Sequence, residues 1–196
     1  MNETPIGGTT APFQVPYHTH NGIDSPSVTS GTQATTSGTK LRVDTTSATY
    51  SNSNTAAAIF TVPIPGGSLD TNNAVHFRIY FQSISMLSGA NITFELKYGG
   101  SSLGTAVVVA NGVAFPASGV KAILEGTLVA NGSNNVQIAS MEFRSSSPQI
   151  AGPTMASDSY GENSDNPLDL IITAKWNTAS VNNELIFNHG IATLIT

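Results

Sequence analysis

Along residues 41–195, apolar side chains recur at every second position in short runs separated by Gly, Asn, Ser and Pro clusters. A strand sends successive side chains to opposite faces, so a period of two gives each run one face to bury and one to leave in water. In AVHFRIYF, Phe77, Ile79 and Phe81 project to one side and His76, Arg78 and Tyr80 to the other. In NITFELKY, Ile92, Phe94, Leu96 and Tyr98 form one stripe and Thr93, Glu95 and Lys97 the opposite one. The other runs are LRVD, AAIFTVPI, TAVVVA, KAILEGTLVA, NVQIASMEFR, LDLIITAKW and ELIFNHGIATLI. No window supports a capped helix of three turns, because Gly or β-branched residues interrupt each candidate. About nine strands, joined by turns such as Asn111-Gly112, Asn131-Gly132 and Gly99-Gly100, predict an all-β fold, an antiparallel two-sheet β-sandwich of the jelly-roll kind. The polar segment 145–167, with Asp158, Glu162 and Asp165, reads as one long loop.

This pattern begins only after residue 40. Residues 1–16 are a polar lead punctuated by Pro and Gly, with too little apolar content to pack alone, and read as an extended anchor that orders against a partner. Residues 17–40 comprise the segment YHTHNGIDSPSV and a Thr/Ser/Gly connector, TSGTQATTSGTK, and residues 41–196 form the head domain. The lead has neither Lys nor Arg and no long apolar run, so export by a cleaved signal is not expected, and release by lysis is a route to the outside. No stretch approaches the roughly 20 apolar residues of a membrane span, so no membrane insertion is expected.

Charge narrows the functional classes. Charged residues are 10% of the chain, against ~25% in ordinary globular domains, and the net charge is -5 with no basic cluster. Nucleic acid is therefore not expected as a partner, since affinity for phosphates comes mostly from releasing counterions with Lys and Arg. The absence of Cys removes disulfides, thiolate metal sites and cysteine nucleophiles together. A surface of Ser, Thr, Asn and Gly suits contacts between subunits, because burying an unpaired ion costs several kcal/mol.

His18-Thr19-His20 is the sharpest local signal. In extended chain, residues two apart point the same way, so one chain offers two imidazoles on one side. Three parallel chains around a threefold axis would supply six nitrogens, an octahedron suited to iron or another first-row divalent ion. By spacing alone, a solvated turn carrying two ordinary histidines is the commoner arrangement. Elsewhere no nucleophile elbow, zinc-protease, phosphate-loop or dinucleotide motif occurs, and no enzymatic activity is expected. A carboxylate pair such as Glu95 with Glu142 meeting across strands stays open. His76 and His189 read as surface or interface residues without a patterned carboxylate partner. Asp158, Glu162, Asp165 and Asp169 do not match a calcium loop and read as solvated acids. Trp176 and Tyr160 are candidates for stacking on a sugar ring, with Trp176 better placed as core at the end of the stripe Leu170, Ile172, Ala174.

The string PYHTHNGIDSPSV resembles the H-x-H-N-G-x-D-S-P segments of tailed-bacteriophage fibre and virion structural proteins, with Ser27 where a basic residue is usual. The phrases IFTVPIPGGSLDTNNAVHFRIYF, ITFELKYGGSSL, ILEGTLVANGSNNVQ and LDLIITAKWNTASVNNELIFNHGIATLI resemble the C-terminal sandwich domain of tail-fibre and head-fibre proteins. The resemblance implies a homotrimeric, non-enzymatic virion protein on capsid or tail. It further implies a transition metal such as iron held by His18 and His20 of three chains, an arm docked on another virion protein, and adhesion, with a host-surface glycan as a further partner. The competing expectation is a carbohydrate-binding or carbohydrate-active module, which needs an exposed aromatic platform or a carboxylate pair in a cleft.

Overall fold

The computed structural model describes residues 38–87, 90–99, 107–109, 117–146 and 155–196. His18, His20, the arm 1–16 and the connector up to residue 37 lie outside the described residues. In chain order the strands are β1 (Thr39–Asp44), β2 (Ala48–Ser51), β3 (Ala57–Ile64), β4 (Ala74–Met86), β5 (Ile92–Tyr98), β6 (Val107–Val109), β7 (Ala117–Ser133), β8 (Val136–Ser145), β9 (Met155–Tyr160), β10 (Leu168–Trp176) and β11 (Glu184–Ile195). Residues Gly38–Thr196 cluster as one unit.

Two antiparallel sheets result. The larger has the order β1-β11-β4-β7-β8-β9, with β2 beside β1 on the outer edge of β11, and the smaller has the order β3-β10-β5-β6. The period of two decides which side chains meet between them. Phe77, Ile79 and Phe81 of β4 and Ile92, Phe94, Leu96 and Tyr98 of β5 are all buried, while the alternate residues are half-exposed. Four aromatic pairs bridge the sheets: Phe81 with Phe94 and Phe94 with Phe143 at 5.3 Å between ring centroids, Phe60 with Phe187 at 6.3 Å, and Tyr98 edge-on to Tyr160 at 6.2 Å. Each such side chain contributes about 1.5–3 kcal/mol by leaving water. Gly190 of β11 lets Phe60 of β3 pack onto the bare backbone, since a Cβ there would lie 2.7 Å from the Phe60 ring.

Each of the nine expected runs falls on a strand, and two further strands appear. The segment 145–167, expected to be one loop, contains β9, which pairs with β8 from Gln137↔Tyr160 to Glu142↔Met155. MASDSY has no apolar stripe, and as an edge strand it is held by backbone hydrogen bonds to β8, which leave no trace in hydropathy. The short β2 pairs with the start of β11 for the same reason. Asn131-Gly132, expected as a turn, instead lies within β7. Gly132 has φ 74°, the register slips between Ala130 and Ser133, and the chain reverses at Asn134-Asn135. Gly therefore supplies the left-handed residue of a bulge here, not of the hairpin turn. Asn111-Gly112 lies outside the described residues.

Candidate functional site

The outer face of the larger sheet gathers His76, Arg78, Tyr80, Glu142 and His189 of the polar side chains singled out in the sequence. Its register builds cross-strand rows. One row runs His189, Tyr80, Ile123, Arg144 over β11, β4, β7 and β8. The next runs Ile191, Arg78, Glu125, Glu142, and a third runs Thr193, His76, Thr127, Ser140. Sequence alternation puts these residues outside; only the pairing register makes them neighbours.

Glu125 is the centre of the polar cluster. Its carboxylate accepts from Arg78 Nη2 at 2.7 Å and Nε at 3.1 Å, and His76 Nε2 lies 2.9 Å from Oε1. An ionised carboxylate only accepts, so His76 donates through Nε2. The Arg78 hydrogen bonds hold the Glu125 carboxyl below its ordinary value against the opposing effect of partial burial, and His76 adds to them. An anion held this way is a poor proton donor near neutrality. Thr127 Oγ1 and Ser140 Oγ bond each other at 2.8 Å and neither bonds His76, so the cluster braces the sheet and activates no hydroxyl. The His76–Glu125 pair was missed in the sequence because residues 49 apart become partners only through the β4–β7 register.

Beside this cluster an open hollow of about 770 Å³ is lined by Tyr80, His189, Gln82, Asn188, Lys121 and Arg144, among others. The Tyr80 and His189 rings stack at 4.3 Å between centroids and 19° between planes. Arg144 donates Nε and Nη2 to Glu142 at 2.8 Å each, while the Lys121 ammonium has no ion-pair partner among the described residues.

The remaining candidates sort by burial and pairing. Trp176 is 3% exposed and belongs to the core, as its stripe predicts. Tyr160, weighed as a sugar platform, is 6% exposed and its hydroxyl donates to the Leu96 carbonyl at 2.7 Å, so its ring is not available to stack on a ligand. Tyr160 ends β9, and the pairing that buries it was hidden with that strand. Glu95 and Glu142 do not meet. Glu95 sits on β5 of the smaller sheet with Lys97 and Thr173, and Glu142 on β8 of the larger sheet with Arg144. Among the described residues no group of three or more His, Asp or Glu is arranged to hold a metal. Asp165 and Asp169 are exposed, and for Asp158 the description extends to the backbone alone.

No protein-family model matches the chain, and no curated protein does. Among solved structures with a similar course are three distant ones. An engineered GH43 glycoside hydrolase with endo-xylanase and exo-arabinofuranosidase activity is 12% identical over 69% of this chain, with a TM-score of 0.36, and the match spans only 31% of the hydrolase. Peanut lectin bound to a nine-residue peptide is 9% identical over 80% of this chain and 93% of the lectin, with a TM-score of 0.34. The CBM2 module of the evolved Dit of Lactobacillus casei BL23 phage J-1 is 10% identical over 69% of each chain, with a TM-score of 0.30. At these scores the likeness carries nothing about ligand or activity; the antiparallel β-sandwich stands on the strand pairing described above.

Proposed function

We propose that this chain is a non-enzymatic, homotrimeric structural protein of a tailed-phage virion, displayed on capsid or tail, whose β-sandwich head serves attachment. The observation that carries the reading is the segment His18-Thr19-His20-Asn21-Gly22-Ile23-Asp24-Ser25-Pro26, which resembles the metal-pinned necks of phage fibres. In the proposed arrangement His18 and His20 of three chains hold one transition metal, such as iron, on the threefold axis, which fixes the register of the chains. The arm 1–16 docks on another virion protein. Three heads on one stem turn weak contacts into useful attachment, because the second and third contacts are made at high effective concentration. The low charge supports the reading, since Ser, Thr and Asn faces pack against neighbouring subunits without desolvating ions.

The test is the mass of the purified chain by size-exclusion chromatography with light scattering, combined with elemental analysis. A trimer with about one transition metal per three chains is expected, from six imidazole nitrogens per octahedral ion. His18→Ala together with His20→Ala should remove the metal and weaken the trimer. A stable wild-type monomer rules the reading out. Immunogold labelling of particles then separates capsid from tail.

A further inference from the structure

The hollow above Tyr80 and His189 is built from irregularities in two adjacent strands. Along β4–β11 the register passes from Ile186↔Ser83 to Phe187↔Phe81 and then to His189↔Tyr80, which leaves Gln82 of β4 and Asn188 of β11 without ladder partners. On the other side of β4, the step from Phe81↔Ala122 to Ile84↔Val120 sets Gln82 and Ser83 against the single residue Lys121. Bulges re-aim side chains and concentrate beside functional sites. Here they bring Gln82, Asn188 and Lys121 to one hollow. Gln82, Asn188 and Lys121 are exposed and line the hollow together.

The chemistry of the lining selects a ligand. The chain has twelve acidic and seven basic residues, yet among the described residues no carboxylate lines this hollow, while Lys121 and Arg144 both do. Arg144 spends Nε and Nη2 on Glu142 and keeps its Nη1 donors. The row His189, Tyr80, Ile123 forms an apolar and aromatic floor suited to the C–H face of a pyranose ring. Amide side chains both donate and accept, as neighbouring sugar hydroxyls require. The volume of about 770 Å³ lies within the range of small-ligand sites, about 300–1,000 Å³.

We propose that this hollow binds an acidic saccharide, with the sugar ring over Tyr80 and His189, its hydroxyls on Gln82 and Asn188, and its carboxylate on Lys121. The proposal does not rest on the virion reading, which is carried by the segment from His18 to Pro26 and by the oligomeric state.

The test is titration calorimetry of the full chain against a panel of uronic-acid oligosaccharides, their methyl-esterified neutral counterparts, and acetate. Binding of an acidic member is expected, with affinity falling as salt rises. Lys121→Gln should weaken it about tenfold or more, the size of a lost hydrogen bond to a charged group. Gln82→Ala and Asn188→Ala should each weaken it severalfold. Lys175→Gln removes the same charge from the exposed end of β10 in the smaller sheet and should leave binding unchanged. The proposal fails if no acidic member binds the wild type, if esterified sugars bind equally, if acetate alone binds as tightly as the oligosaccharide, or if Lys121→Gln binds like the wild type. A trimer that binds no acidic sugar overturns this proposal alone, and a monomer that binds one overturns the virion reading alone.

Discussion

Gly126 of β7 stands directly opposite Phe77 of β4, and the Phe77 ring fills the space above it: a Cβ on Gly126 would lie 2.5 Å from Phe77 Cζ and 2.6 Å from the Ser140 carbonyl oxygen. Glycine inside a strand weakens it unless something packs over the bare backbone, and here an aromatic ring does so. Gly126→Ala should therefore destabilise the fold by about 1–3 kcal/mol, the usual cost of overpacking a core. Phe77→Leu in the Gly126→Ala background should recover part of that loss. Urea denaturation midpoints check both, and an unchanged midpoint for Gly126→Ala would show that the ring does not lie over the glycine.

Gln137 is the best-satisfied buried polar group among the described residues. It is 0% exposed; its Nε2 donates to the carbonyls of Asn134 and Glu162 and approaches Ser164 Oγ at 3.0 Å, while its Oε1 accepts from the Glu162 amide. Ser164 in turn bonds the Tyr98 hydroxyl at 2.9 Å. One amide thus ties the end of β9 and the following turn to β8. Gln137→Leu keeps the volume and removes every one of these bonds. Each buried group left unpaired costs about 1–3 kcal/mol, so the variant should lose at least about 3 kcal/mol. Hydrogen exchange at the Glu162 amide should accelerate before the global transition; equal protection in wild type and variant would contradict the role given to Gln137.

What the sequence reveals and hides follows from what each interaction leaves behind in composition. Phe77, Ile79 and Phe81 announce their strand and its buried face, because burial on one side imposes alternation. Gln137 hides, since a polar residue on a strand reads as solvent-facing until its backbone partners are known. The hollow hides too: Gln82 and Asn188 become neighbours through register slips of one residue, which hydropathy does not record. Tyr160 misleads because MASDSY carries no stripe, so its ring looks free until β9 pairs with β8.

The ion pairs on the outer face set a direction for acid sensitivity. Arg78 holds the Glu125 carboxyl below its ordinary value of 4.5, Arg144 does the same for Glu142, and Arg42 with the Thr46 amide lowers Asp44 from 3.8. Each group is therefore protonated more readily in the unfolded chain. Its contribution to stability is fully present above the unfolded value and is lost as pH falls through the lower folded one. Stability should decline below about pH 4.5, and Glu125→Gln should be less stable than wild type at pH 7 by an amount that shrinks toward pH 3. Urea titrations of both proteins at several pH values check this; a gap that stays constant or widens in acid would contradict the pairing.

Trp176 separates a structural role from a sugar-binding one. Its ring is buried at the end of β10, where it pairs with Ile92 in register, and it borders a small hollow shared with Tyr50 and Thr49. A buried tryptophan contributes through packing, so Trp176→Ala should cost about 3–5 kcal/mol, and Trp176→Phe, which keeps an aromatic ring, should cost less. Neither change touches Lys121, Gln82 or Asn188, which lie on the larger sheet. Under conditions where Trp176→Phe remains folded, its affinity for acidic saccharides should equal that of the wild type. If Trp176→Phe melts like the wild type yet loses saccharide binding, the ligand is on the Trp176 side of the sandwich and the assignment to the Tyr80–His189 hollow is wrong.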